Sequence, residues 1–154
     1  MIVATQVKKR FGDFFALDGL NLQTVPGECF GLLGPNGAGK STFISLVYGA
    51  MDRSSGDLQV FGMDPKTQSR EIKKRLGVVT QENALDESLT VLENMLIYAA
   101  FLGIPKSERM PRVQELLHYM TLAHKAKNPI QSLSGGMKRR LSVVIATIGD
   151  PKII

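Results

Sequence analysis

Only one cysteine, Cys29, occurs in the chain, so an internal disulfide is excluded and the thiol usage fits a reducing compartment. No apolar run approaches the roughly 18 residues that would span a bilayer. The longest candidate, residues 95–105, is too short and follows Glu93. A signal peptide is equally missing: Lys8, Lys9 and Arg10 come after the apolar N-terminal residues, the reverse of the order such a segment needs. Histidine is scarce. His118 and His124 are the two present, both far in sequence from the phosphate-binding motif described below, and neither is read as a ligand or a catalyst. There is no internal repeat and no low-complexity tract.

What remains is an ordinary globular composition, 44% hydrophobic and 21% charged over 154 residues, enough for one domain with a real core. The net charge of +5 concentrates in Lys8-Lys9-Arg10, Lys73-Lys74-Arg75 and Lys138-Arg139-Arg140. No aromatic residues are read as interleaved with these runs, as a groove for single strands would want. The charge is therefore assigned to a solvated surface plus a phosphate site, and no nucleic-acid partner is expected. Met95, Met110, Met120 and Met137 read as packing residues.

Gly34-Pro35-Asn36-Gly37-Ala38-Gly39-Lys40-Ser41-Thr42 fits G-x-x-x-x-G-K-[ST], the phosphate-binding loop. Residues 29–33 before it read as a buried strand, with Cys29 packed beside the loop; residues 42–47 after it read as a helix. The glycines let backbone N–H groups converge on phosphate oxygens, and the helix directs its positive end there. Lys40 adds a point charge near the β- and γ-phosphates, and Ser41 offers a hydroxyl to Mg²⁺.

Elsewhere, residues 2–9 and 20–25 alternate like strands, with Gly12 and Asp13 between them, and Pro26-Gly27 marks a turn. Ser54-Ser55-Gly56 is a second turn before a strand over 57–61. Residues 69–75 read as helix and 76–80 as a short apolar strand ending at Gln81. From there the pattern is helical. Thr90 to Glu93 is a capping-box sequence opening a helix to about residue 102, stopped by Gly103 and Pro105. A second helix covers 112–120 with Pro111 in its first turn, since proline inside a helix costs about 3 kcal/mol. A third runs from Ser134 to Ile148, with Met137, Leu141, Val144, Ile145 and Ile148 on one face, and Gly149-Asp150-Pro151 ends it.

Leu133-Ser134-Gly135-Gly136-Met137 is the second anion-site candidate: Ser134 can cap the helix, and two glycines leave its first N–H groups bare. On these motifs the chain resembles the ATP-binding-cassette (ABC) ATPases, the motor domains of ABC transporters, over essentially its whole length. The run from Leu133 is similar to that family's LSGGQ signature, with Met137 in the last place. Its continuation Lys138-Arg139-Arg140-Leu141 is similar to the exporters of drugs, lipo-oligosaccharides and nodulation factors. Gln81, after Gly77-Val78-Val79-Thr80, matches the Q-loop glutamine, and Phe11, after Lys9-Arg10, matches the aromatic that stacks on adenine.

The resemblance implies an α/β fold: a P-loop core with an antiparallel β portion over 1–87 and an inserted helical portion over 88–148. It implies ATP and Mg²⁺ as ligands. ATP would be held by Phe11, Gly34, Asn36, Gly37, Ala38, Gly39, Lys40, Ser41 and Thr42, and by Ser134, Gly135 and Gly136 of the signature. The metal would be held by Ser41 and Gln81, and catalysis served by Lys40 and Gln81. It implies a second ATP-binding subunit in a head-to-tail dimer, Ser134 and Gly136 reaching the γ-phosphate on the partner's loop. It further implies a transmembrane permease subunit met by residues 88–101, and a place on the cytoplasmic face of the membrane. Two other readings compete: a soluble relative acting on nucleic acid or ribosomes, and a non-catalytic nucleotide-binding fragment. Against the first, Gln81 and Ser134 lie too close for a long coiled-coil insertion; an unrelated P-loop kinase would have no use for residues 134–136. The chain stops at Ile154, before the family's Walker B Asp-Glu pair, its later loop aspartate and its switch histidine. The expectation is a piece that binds nucleotide, hydrolyses it poorly and is marginally stable through exposed strand edges.

Overall fold

The computed structural model describes residues 1–80 and 85–154, and these form two compact units, Met1–Lys73 and Lys74–Ile154. The first unit is built on a three-stranded antiparallel sheet in the order β2-β1-β3. Strand β1 is Ile2–Phe11, β2 is Phe14–Gln23 and β3 is Ser55–Val60. Helix α1, Lys40–Val47, packs on β2 and β3, and helix α2, Pro65–Lys73, packs on β3. Gly12 takes φ +58°, the left-handed value that glycine supplies at the first central place of a two-residue hairpin turn. Strand β2 consequently begins at Phe14, well before the expected residue 20, because Phe11 pairs directly with Phe14 and Arg10 with Phe15. At the other end Thr24 closes the sheet, its N–H donating to the Ile2 carbonyl at 2.9 Å and its Oγ1 accepting from the Ile2 N–H at 2.8 Å. Ala4, Val7, Leu17, Phe43, Leu46, Leu58, Val60 and Ile72 are buried and form this unit's core.

An ion pair fixes the segment on either side of β3. Arg53 precedes the strand and Asp64 follows it. The guanidinium grips the carboxylate with both arms, Nη1 to Oδ1 at 2.7 Å and Nη2 to Oδ2 at 2.8 Å, while Nε donates to the Gly56 carbonyl at 2.8 Å. Asp64 also caps α2, Oδ1 accepting from the Lys66 N–H at 2.9 Å. Helix α2 therefore starts at Pro65, not at the expected residue 69.

The second unit is helical. Helix α3 is Val91–Phe101, α4 is Lys106–Tyr119 and α5 is Gly135–Thr147, with single 3₁₀ turns at Ala123–Lys125 and Ile130–Ser132. The capping box is present: Thr90 Oγ1 accepts from the Glu93 N–H, and Glu93 accepts from the Thr90 N–H at 2.8 Å. The expected apolar face of α5 is the one that packs. Leu141, Val144 and Ile148 join Val91, Met95, Val113 and Leu117 in the core, with Met137 and Ile145 against it. Asn94 is the polar tie in this core, 1% exposed. It donates to the carbonyls of Asp86 at 2.9 Å and Thr90 at 3.1 Å, and accepts from the Asp86 N–H at 2.9 Å.

Three further sequence expectations are corrected. Pro111 sits inside α4, not in its first turn, because the helix starts at Lys106 just after Pro105. Having no N–H, Pro111 leaves the Ser107 carbonyl without its helical donor, and both residues are exposed to solvent. Residues 76–80 form no strand; only Leu76 bridges, in parallel, to Ile153, with the Gly77 N–H donating to the Ile153 carbonyl at 2.8 Å. Residues 29–33 form no strand either, and Cys29, Phe30 and Leu33 are exposed. A buried strand needs a ladder partner and cover on both faces, and no described segment pairs with this one.

The pairing with Arg53, through its hydrogen bonds first, lowers the Asp64 pKa from 3.8 to about 2. A carboxylate whose folded pKa is depressed contributes stability above its unfolded value and loses it as pH falls through the folded one. With the carboxylate one-third exposed, we expect Asp64→Asn, which can still cap α2, to cost about 1 kcal/mol at neutral pH after allowance for solvent screening. Urea unfolding of both forms should show that gap constant from about pH 7 to 5 and closing between about pH 4 and 2. A gap that does not change with pH would mean the charge contributes nothing.

Candidate functional site

The loop ahead of α1 is held by one close approach. Gly39 is the N-cap of α1, at φ +83° and ψ 3°. A Cβ there would lie 2.3 Å from the Ala16 carbonyl oxygen and 2.8 Å from Leu17 Cδ2, so the backbone of the loop rests directly on β2. Gly37, at φ +85°, has open space around it and is needed for its backbone angle alone. These two angles turn the chain sharply into the helix. The first turn of α1 carries no acidic side chain and no side-chain cap, so its leading N–H groups and its positive dipole end are left for an external anion. Gly34, Asn36, Gly37 and Ala38 are exposed around it, as is the Ser41 hydroxyl, while Thr42 is half-buried.

Lys40 turns back onto the loop. Its ammonium donates to the carbonyls of Gly34 and Pro35, each at 2.6 Å. The loop thus supplies its own cation and holds it between carbonyls, beside the N–H groups of the new helix. No cluster of three or more His, Cys, Asp or Glu exists among the described residues. The exposed oxygen donor in the first turn of α1 is instead Ser41, which suits a hard cation such as Mg²⁺ that completes its shell with phosphate oxygens and water.

Phe11 ends β1 and is 49% exposed, which rules out a core role. Lys9 Nζ lies 4.9 Å from the centre of its ring. The same ammonium donates to the Asp52 carbonyl at 2.7 Å. Across the turn, Lys8 and Arg10 lie 5.7 Å and 5.9 Å from the Phe15 ring. The first basic run is therefore interleaved with aromatics after all. The hairpin brings Phe14 and Phe15 alongside it, an arrangement that adjacency along one strand does not reveal.

In the second unit, Ser134 is the N-cap of α5, its Oγ accepting from the Met137 N–H at 3.3 Å. Gly135 and Gly136 are exposed, and a Cβ on either would meet nothing within 4 Å. The first turn of α5 has no acidic residue and opens on the two glycines; Ser134 takes the Met137 N–H, and the end is positively polarised like that of α1. The basic run that follows is partnered. Lys138 pairs with Glu87 at 2.9 Å, Arg139 donates to the Thr80 carbonyl at 2.9 Å, and Arg140 to Thr121 Oγ1 at 3.1 Å. Gln81 lies outside the described residues. His118 and His124 line an open pocket with Thr121, Ala123 and Arg140. Lys9 and its tie to Asp52 were missed by sequence reading, since contact with a loop 43 residues away leaves no local signal.

The ABC transporter family model matches residues 17–154. A Nod factor export ATP-binding protein I from Burkholderia thailandensis is 40% identical over 149 residues, which is 97% of this chain and 49% of that protein. The protein of the same name from Sinorhizobium fredii is 40% identical over 153 residues, 99% of this chain and 45% of its own length. The chain thus spans about half the length of the curated relatives it matches. Among solved structures, a dimeric post-hydrolysis state of the ATP-binding cassette MJ0796 bound to ADP and Pi aligns with a TM-score of 0.83 at 26% identity, covering 98% of this chain and 71% of that one. The cbiO1 structure from Clostridium perfringens, part of the ABC transporter complex cbiONQ, aligns with a TM-score of 0.85 at 25% identity, covering 97% and 62%.

Gly39 admits no side chain without moving β2. Gly39→Ala should destabilise the first unit by about 1–3 kcal/mol, from left-handed backbone strain and the collision with Ala16 together. Gly37→Ala, strained but unobstructed, should cost less. Chemical denaturation of the two variants side by side checks the order; equal losses would mean the contact with Ala16 is not limiting.

Proposed function

The chain belongs to the ABC transporter family, and from that premise we propose that it is the ATP-binding part of an exporter's motor subunit. The observation that carries the reading is the bare N-terminus of α1 behind a glycine-locked loop, with a lysine ammonium already inside it. Triphosphate is the natural guest for that constellation. The leading N–H groups of α1 and the loop from Gly34 to Gly39 would receive phosphate oxygens, Lys40 would exchange its two carbonyl partners for phosphate, and Ser41 and Thr42 would follow on the helix. Ser41 would give its hydroxyl to Mg²⁺, which neutralises phosphate charge, and Gln81 would serve the metal and the attacking water. The exposed Phe11 ring would take the adenine by stacking, without the hydroxyl that tyrosine would add.

The glycine-led start of α5 supports a dimeric mode of action. The chain presents two anion-seeking helix termini, at α1 and at α5. In a head-to-tail pair, Ser134, Gly135 and Gly136 of one subunit would meet the γ-phosphate held by the loop of the other. The relative bound to ADP and Pi is itself a dimer. ATP then acts as the attraction that closes the pair, and loss of the γ-phosphate removes it. A membrane-embedded permease, met by the helical unit around α3, would turn closure into export. A lipo-oligosaccharide of the Nod-factor kind is the cargo class that the names of the relatives favour. No helix of the described residues is long and apolar enough to cross a membrane.

Calorimetric titration with Mg·ATP tests the phosphate site. Lys40→Ala should weaken binding by about ten- to a hundred-fold, the loss of charge-assisted hydrogen bonds, with unfolding behaviour little changed. Unaltered affinity in Lys40→Ala would remove the reading.

A further inference from the structure

We propose that Lys9 is a positioning residue for nucleotide: it clamps the Phe11 ring from one face, leaving the other for the base. The inference rests on the reading of Phe11 as the adenine platform given above.

A half-exposed phenylalanine at a strand end is not fixed by burial in a core. Something has to fix the ring if it is to act as a preorganised stacking surface. Lys9 does this from 4.9 Å, and its ammonium is itself anchored by the 2.7 Å bond to the Asp52 carbonyl. That anchor does not drift relative to β1. The Ser54 N–H donates to the Lys8 carbonyl at 2.8 Å, and the Arg10 N–H donates to Ser54 Oγ at 2.9 Å. The chain of contacts runs from the β1 backbone through residues 52–54 to the ammonium and on to the ring.

The neighbouring cations are differently engaged. Lys8 pairs with Asp18 at 2.7 Å and Arg10 with Asp13 at 3.8 Å, so the charge over Phe15 is offset by carboxylates. Lys9 makes no ion pair among the described residues; its partner is a neutral carbonyl, and its full charge stays on the ring. A cation over one face of a phenyl ring occupies that face and draws π density toward it. The opposite face is then the electron-poorer surface, the better match for an electron-rich purine. Phe11, alone among the three hairpin phenylalanines, combines a held ring, an uncompensated cation and half its surface open.

The test is calorimetric titration of the full chain with Mg·ATP and, separately, with inorganic tripolyphosphate. Lys9→Met should weaken ATP by about three- to five-fold while leaving tripolyphosphate within about two-fold. Lys9→Arg, which restores a cation over the ring, should bind both like the parent chain. In a Phe11→Leu background, Lys9→Met should have no further effect. Equal weakening of both ligands by Lys9→Met would mean that Lys9 acts by long-range charge and would overturn the proposal. So would an unchanged ATP affinity in Lys9→Met when Phe11→Leu weakens it, in which case the platform stands without its clamp. If Phe11→Leu itself leaves ATP binding intact, the adenine platform is wrong and the clamp falls with it.

Discussion

The contact of Gly39 with the Ala16 carbonyl is the constraint on which the first unit's chemistry depends. A helix N-terminus attracts anions only if it is aimed at a place the anion can reach and is not already capped. Both conditions trace to this one residue. Its left-handed backbone ends the loop and begins α1 in one step, and its missing side chain lets the loop lie on β2 at backbone distance. Glycine cannot supply a side-chain cap, so the first N–H groups of α1 stay open. The same substitution would therefore damage fold and site together.

Two further ties keep neighbouring segments in register with that point. Arg53 and Asp64 hold the two flanks of β3, and β3 is one of the strands on which α1 packs. The segment 52–54, just ahead of Arg53, is hydrogen-bonded to the end of β1 and presents the Asp52 carbonyl to Lys9. Surface ion pairs contribute little as a rule, but a bidentate pair that also caps a helix and receives a third bond to Gly56 is geometrically over-determined. In the second unit the equivalent element is neutral. Asn94 reaches from inside the core to three backbone groups, two of Asp86 and one of Thr90, and so ties the segment ahead of α3 to the helix.

Legibility in the sequence followed the range of the determining interaction. The capping box at Thr90 and Glu93, the Ser134 cap and the apolar face of α5 are set by residues three or four apart, and each was readable. The turn of the Gly34–Gly39 loop into α1 was readable because its glycines act through their own backbone. Residues 29–33 and 76–80 have the apolar composition of buried strands, yet strand formation needs a partner, and composition does not carry one. The start of β2 was misplaced for a related reason: Phe14 and Phe15 belong to the ladder because they face Phe11 and Arg10 across a glycine turn. Pro111 was placed by a sound rule at the wrong helix start, since Pro105 ahead of Lys106 was read only as a stop.

Lys40 shows how the loop from Gly34 to Gly39 is held in shape. An ammonium left among N–H groups of like polarity would be repelled, whereas here it is drawn to the Gly34 and Pro35 carbonyls at 2.6 Å. Those two bonds bridge the start of the loop to its end and hold the turn around Asn36 and Gly37. Under the proposed reading, they are also what an incoming phosphate would outcompete. The anion would gain a charge-assisted bond to Lys40 and several backbone N–H bonds against the lysine's two bonds to neutral carbonyls, so the exchange would favour ligand. The affinity of such a site is a difference between two sets of hydrogen bonds to one cation, and its discrimination against weaker anions comes from the same difference.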